Sequence, residues 1–182
     1  MGTLLELLAD EGHGGFAVAL RVAAGLQAHA PRRAAIIIDT AGEVYPPALA
    51  QVGLDLARLV VLRPGPRDAL ACLDEALRSP AVVAVVARVS NLAGAASHRL
   101  RQAAHVGGGV GLLVRPRAEA GAVSGAAVRI VVQPGRGGDL VLSPLRVRAS
   151  ESVEPFRVAA PLRPAAWSSE VTDEPLPERR AS

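Results

Sequence analysis

The strongest constraint on the fold is a series of short runs made of apolar, mostly β-branched residues. Ile36–Ile38 and Val82–Val86 are the clearest of them. Such residues favour strands, and a strand without polar alternation is typical of a sheet buried on both faces. Amphipathic stretches separate these runs, and one of them places Leu70, Leu73 and Leu77 at helical spacing. The alternation predicts a three-layer α/β/α fold with a mainly parallel central sheet.

The pattern changes in the last third of the chain. Two strand-like segments, Ala126–Val132 and Leu140–Val147, are joined by the Gly-rich Pro134–Gly138, which predicts a C-terminal β-hairpin at one edge of the sheet. Residues 150–182 are rich in Pro, Ser and charges without a period, so we expect a largely disordered tail after a domain spanning residues 1–149. Trp167, the only Trp, lies in this tail, where it would either anchor a partner or pack on its own domain.

The segment between the first strand and the first helix has the position of a phosphate-binding P-loop. That motif reads G-x-x-x-x-G-K-[ST], in which backbone N–H groups hold phosphates, the Lys balances their charge and the hydroxyl binds Mg²⁺. Only Gly14 matches it, because Gly15 stands at the Lys position and Phe16 at the hydroxyl position. The whole window is Ala9, Asp10, Glu11, Gly12, His13, Gly14, Gly15 and Phe16.

A second requirement for phosphoryl transfer is an acid at the end of a buried strand, where it holds Mg²⁺. The strand around Val82–Val86 ends instead in Ala87 and Arg88. All basic residues of the chain are Arg, so no lysine amine is available anywhere for a P-loop or a Schiff base. Together these losses predict that the chain is not an enzyme; weak nucleotide binding through helix N-terminal amides stays open.

Other classes of site find little support in the composition. The single cysteine, Cys72, lies in an apolar helical stretch and is expected to be a core residue, and the four His residues lack the spacing of metal ligands. Aromatic residues make up only 2% of the chain, so a surface that stacks single-stranded bases is not expected, and any DNA contact would be weak or indirect. We therefore expect no metal and no cofactor. Four arginines around the last parallel strand are candidates for a basic, partner-binding face or for an ordinary solvated one: Arg99, Arg101, Arg115 and Arg117.

The order of these segments resembles the core of the RecA recombinases. The first strand, Leu4–Leu8, precedes the loop, and the second strand ends in an acid at Asp39 before Tyr45-Pro46. The segment Gly53–Leu59 has the family's pattern of a glycine, alternating hydrophobic residues and an aspartate before a strand. Asp68–Ala87 is similar to the family's Ala/Leu-rich helix followed by an apolar strand. The resemblance covers about residues 3–115 and implies a RecA-like fold.

Within this superfamily the chain looks most like the ImuA accessory proteins of bacterial mutagenesis cassettes. The segments Arg99–Ala104, Gly111–Pro116 and Val128–Val132 are similar to that group. Ala41 stands where the recombinases carry the glutamate that activates water, which agrees with the altered loop. The resemblance implies a non-catalytic part in DNA-damage-induced translesion synthesis, within the SOS response. The implied partners are an inactive Y-family polymerase homologue, ImuB, and an error-prone C-family DNA polymerase.

Two other functions remain open at this stage. A SulA-like inhibitor of cell division would also be RecA-like, damage-induced and without a nucleotide site. An ATP-dependent recombinase relative with an altered loop is disfavoured because the chain has no Lys. Neither a secretion signal nor an apolar run long enough for a bilayer is evident, so a cytoplasmic location is expected.

Overall fold

Over the residues that the structure describes, the fold is built from one eight-stranded sheet and four α-helices. The structure, a computed structural model, describes residues 2–148 and 153–159. Among the helices it describes, none has the length and apolar character that crossing a membrane requires. The strands are β1 (Thr3–Leu8), β2 (Ala34–Ile38), β3 (Leu59–Leu62), β4 (Val82–Arg88), β5 (Val110–Arg115), β6 (Val128–Pro134), β7 (Asp139–Val147) and β8 (Phe156–Ala159); the helices are α1 (Gly15–Ala28), α2 (Pro46–Gln51), α3 (Ala69–Arg78) and α4 (Gly94–Gly107).

The sheet has the strand order β3-β2-β4-β5-β1-β6-β7-β8. The first six strands of this order run parallel to one another, whereas β7 pairs antiparallel with β6 and β8 antiparallel with β7. The prediction of an α/β fold with a mainly parallel sheet is confirmed. Because parallel strands need long crossover connections, helices lie on both faces and bury the apolar runs that the sequence shows.

Two apolar cores lie on opposite faces of the sheet. Helix α1 packs on one face through small residues such as Ala19 and Ala23, which are fully buried. Helices α3 and α4 pack on the other face, where Leu77 and Leu100 are among the buried side chains. Because the chain has very few aromatic residues, the core consists mainly of Ala, Val and Leu. These small side chains pack closely, and the area that they bury takes the place of the area that large rings would bury.

The far edge of the sheet differs from the sequence prediction. β6 and β7 are joined by residues 135–138, but β7 does not form the edge, because β8 pairs with it from Leu142↔Phe156 to Asp139↔Ala159. The tail was predicted to be largely disordered from residue 150, and residues 156–159 depart from that prediction because they form a strand of the sheet. Four residues that follow Glu154 and Pro155 and include Arg157 carry too weak a period to be recognised as a strand. The remainder of the predicted tail after Ala159, with Trp167, lies outside the described residues.

Candidate functional site

The loop between β1 and α1 lies at the carboxyl ends of the parallel strands, where ligands bind in α/β folds. Ala9 continues β1 by donating its N–H to the carbonyl of Arg115 at 3.0 Å. A tight turn follows, in which the N–H of His13 donates to the carbonyl of Asp10 at 3.1 Å. Gly14 then caps α1 in the left-handed conformation with φ +82°, which a glycine adopts without strain.

The loop is packed against the sheet at the two positions where the motif would place its last glycine and its lysine. A Cβ at Gly15 would lie 2.6 Å from Cβ of Ala9 and 3.3 Å from Cγ1 of Val114. A Cβ at Gly14 would lie 2.9 Å from both Cδ atoms of Leu140 on β7. The loop therefore lacks the lysine of the motif, and at Gly15 it also lacks the space that a lysine side chain would need.

Phe16, at the hydroxyl position of the motif, is covered by a charged pair. The guanidinium of Arg88 lies 4.2 Å from the centroid of the Phe16 ring, a cation–π contact. Nη1 of Arg88 donates to Oε2 of Glu43 at 2.6 Å. The aromatic ring, the guanidinium and the carboxylate thus join α1, the end of β4 and the loop after β2. They occupy the edge where a P-loop protein would hold its magnesium.

The loop after β2 is held by a buried carboxylate. Asp39 accepts hydrogen bonds from the N–H groups of Glu43 (3.1 Å) and Val44 (3.2 Å) and from Nε of Arg63 (3.2 Å). Burial alone would raise the pKa of Asp39, but these bonds and the charge of Arg63 outweigh it and hold the pKa below its ordinary value. The acid is therefore used to shape the loop, in which Ala41 is exposed.

Acidic residues near the loop are not arranged as metal ligands. Asp10 and Glu11 are exposed, and Oδ2 of Asp10 lies 3.7 Å from Nδ1 of His13. Ala87, which stands where an acid would hold magnesium, is 1% exposed within the core. In the part of the chain that the structure describes, no group of three or more His, Cys, Asp or Glu is placed to hold a metal ion.

The four arginines proposed as a basic face do not share one environment. The prediction is wrong for Arg115, which is 1% exposed and bound to two carboxylates. Arg101 is partly buried, whereas Arg117 is exposed. Arg99 is exposed, but its Nε lies 3.5 Å from Oδ1 of Asp74, so its charge is already partly balanced. Only Arg99 and Arg117 remain candidates for a partner contact.

A buried cluster of four charges, which the sequence analysis missed, lies beneath the end of β1. Glu6 is fully buried and accepts hydrogen bonds from Nη1 of Arg115 (2.8 Å), Nε of Arg129 (2.8 Å) and Oγ of Ser124 (2.6 Å). Glu119 accepts from Nε (3.0 Å) and Nη2 (2.6 Å) of Arg115. Two arginines are thus balanced by two glutamates, as buried charges require.

The cluster connects three neighbouring strands to the segment that follows β5. Arg129 also donates to the carbonyls of Glu119 and Ala120, which lie in the segment's 3₁₀ helix, Arg117–Gly121. The sequence held a signal for this arrangement. Glu6, Arg115 and Arg129 each lie within or at the end of a mostly apolar strand, and charges buried in such places must be paired with one another.

No protein-family model matches the sequence, and comparison with curated proteins gives no match. The likeness to RecA-like proteins therefore rests on the sequence segments described above.

Proposed function

We propose that the chain is a RecA-like, non-catalytic accessory protein of DNA-damage-induced translesion synthesis. In this proposal it acts by binding a polymerase-like protein, either an inactive Y-family homologue of the ImuB type or an error-prone C-family DNA polymerase. The observation that carries the non-catalytic part is the closed loop, in which Gly15 has no room for a side chain and Phe16 lies under Arg88.

The chemistry at this edge supports a role without phosphoryl transfer. Catalysis of that reaction depends on positioning and on positive charge around the transferred phosphoryl group. Here Arg88, which lies over Phe16, is paired with Glu43, and the loop itself adds Asp10 and Glu11. A phosphate would thus meet neutralised or negative groups. We infer that a domain with such an edge acts by binding another protein.

The part of the proposal that concerns nucleotide is tested by titrating the full chain with a fluorescent ATP analogue and Mg²⁺. We expect no saturable binding below about 1 mM, and no phosphate release above the buffer rate. Saturable binding that excess ATP displaces would contradict the closed loop, and hydrolysis would reject the non-catalytic assignment.

The part that concerns partners is tested with purified proteins. The full chain and a version ending at Ala159 are each immobilised and offered the Y-family homologue, the C-family polymerase and a tubulin-like division protein. Ending at Ala159 keeps β8, whereas ending at 150 would remove a strand of the sheet. Capture of either polymerase supports the proposal, and loss of capture in the shorter version assigns the contact to residues 160–182. Capture of the division protein alone would favour a SulA-like inhibitor.

A further inference from the structure

A cavity of about 360 Å³ lies between the carboxyl ends of β2 and β4, on the face covered by α3 and α4. The connection after β2 runs toward β3, whereas the connection after β4 runs the opposite way toward β5. Neighbouring strands whose connections diverge leave a crevice at their carboxyl ends, and this switch point is where α/β proteins bind ligands. The volume is at the lower end of the range of small-molecule sites.

The cavity has an apolar floor, and small residues around it leave the space open. Ile38, Leu73 and Ala87 are buried at its base. The first turns of α3 and α4 contribute alanines where larger side chains would fill the space, and these are Ala69 and Ala96. An apolar body of one or two rings would replace water over this floor, which is the favourable part of binding in such sites.

The rim supplies uncharged hydrogen-bonding groups. The side chains of Thr40, Ser90 and Asn91 line the opening, and none of them has a hydrogen-bond partner within residues 2–148 and 153–159. No carboxylate lines the cavity in the same part of the chain. The one charged residue of the lining, Arg88, directs its guanidinium to Phe16 and Glu43. The rim can therefore donate to or accept from a polar group, but the lining has no carboxylate to balance the charge of a cation.

The rim loop is fixed from behind by groups that do not line the cavity. The N–H of Val89 donates to the carbonyl of Val114 at 2.9 Å, and the N–H of Asn91 donates to Oε1 of Glu119 at 2.8 Å. Asn91 has φ +53°, the one non-glycine residue with a positive φ in the described chain. A strained residue held by its surroundings at the mouth of a cavity is typical of a site whose shape is set before a ligand arrives.

We propose that this cavity binds a small molecule with an apolar body of one or two rings and a single carbonyl or carboxylate group. The body lies over Ile38, Leu73 and Ala87, and the oxygen accepts from the rim. The floor of the site belongs to the core on the α3–α4 face, whereas Ala9 and Phe16 at the two ends of the β1–α1 loop pack in the core on the α1 face, and Arg88 lies between the two. This site does not depend on the proposed function.

The test uses three probes of one shape in protein NMR titrations of the full chain: phenylacetamide, phenylacetate and 2-phenylethylammonium. We expect the first two to bind with dissociation constants on the order of 1 mM. Their binding should shift the amide signals of Asn91, Leu92 and Ala96. The ammonium probe should bind at least about tenfold more weakly, since no carboxylate of the lining balances the charge of a desolvated cation. Equal binding of all three probes, or no binding of any, would overturn the proposal.

Two variants in one turn of α4 distinguish binding in the cavity from non-specific binding elsewhere on the protein. Ala96→Leu fills the cavity and should abolish the shifts, whereas Ala95→Leu adds the same side chain at an exposed position and should leave binding unchanged. Asn91→Gly keeps a residue suited to positive φ and removes the amide, and should weaken phenylacetamide by about fivefold to tenfold. Unchanged binding by a folded Ala96→Leu protein would reject the site. Partner capture is a separate measurement, so either proposal can fail alone.

Discussion

The carboxylate of Glu6 and the guanidinium of Arg115 meet at 2.8 Å between neighbouring strands, and neither side chain is more than 1% exposed. Arg129 reaches the second oxygen of the same carboxylate from the strand on the other side of β1. Because β5, β1 and β6 are adjacent, one acid in the central strand of this group binds both of its neighbours. A slip in register of either strand would separate buried charges, so the pairing favours one register.

Replacing this acid tests how strongly the cluster holds the fold. Glu6→Gln keeps the shape but leaves two buried arginines with one remaining carboxylate. We expect the free energy of unfolding to fall by about 3–5 kcal/mol, measured by urea denaturation. The matched control is Glu43→Gln, which removes the carboxylate of an exposed Arg pair and should cost less than about 1 kcal/mol. Equal losses in the two variants would show that the buried cluster adds nothing beyond a surface pair.

Two glycines of α1 allow the closed loop to be tested within a single helix. Gly15→Ala places a Cβ 2.6 Å from Cβ of Ala9, so we expect a loss of about 1–3 kcal/mol from overpacking. Gly25→Ala meets nothing within 4 Å and should stabilise the helix by up to about 1 kcal/mol. Thermal and urea unfolding of both variants checks the signs. A stabilised Gly15→Ala protein would mean that the loop has room at the lysine position.

The sequence predicted the layers of this fold better than its charged interactions. A run such as Ile36–Ile38 predicts a buried strand by itself, because a wholly apolar strand is buried wherever it lies in the sheet. The role of Arg115 depends on which strands become neighbours, and residues 6, 115 and 129 are brought together only by the strand order. The absence of a P-loop lysine was visible in the sequence, whereas the lack of space at Gly15 depends on packing against Val114. The cavity had no sequence signal, since its lining comes from several separate segments.

The buried Asp39 predicts a specific dependence of stability on pH. Burial raises its pKa, but the hydrogen bonds from Val44, Arg63 and Glu43 outweigh burial and keep the folded pKa below the ordinary value of 3.8. The folded chain therefore favours the ionised form, and this contribution is present above pH 3.8 and is lost as the pH falls through the folded pKa. Asp39→Asn should cost about 1–2 kcal/mol at pH 7.

The difference between the wild-type and Asp39→Asn proteins isolates this effect from other acids. Urea unfolding at pH 7, 5, 4 and 3 should give a constant difference down to about pH 4 and a shrinking one below it. Asp55 and Glu119 also have lowered pKa values, but they are present in both proteins and cancel in the comparison. A difference that stays constant to pH 3 would mean that the carboxylate charge does not hold the loop.

The edge strand β8 provides a test of where the folded domain ends. Val158 pairs with Leu140 and packs against the α1-side core, whereas its neighbour Arg157 is exposed. Successive residues of a strand point to opposite faces, so the same substitution should differ sharply in effect between the two positions. Val158→Asp places an unpaired charge against apolar side chains and should cost about 1–3 kcal/mol, whereas Arg157→Asp should change stability by no more than about 0.5 kcal/mol. Urea unfolding of the two variants measures this directly. If both substitutions leave stability unchanged, β8 contributes nothing to the domain and the predicted tail begins before it.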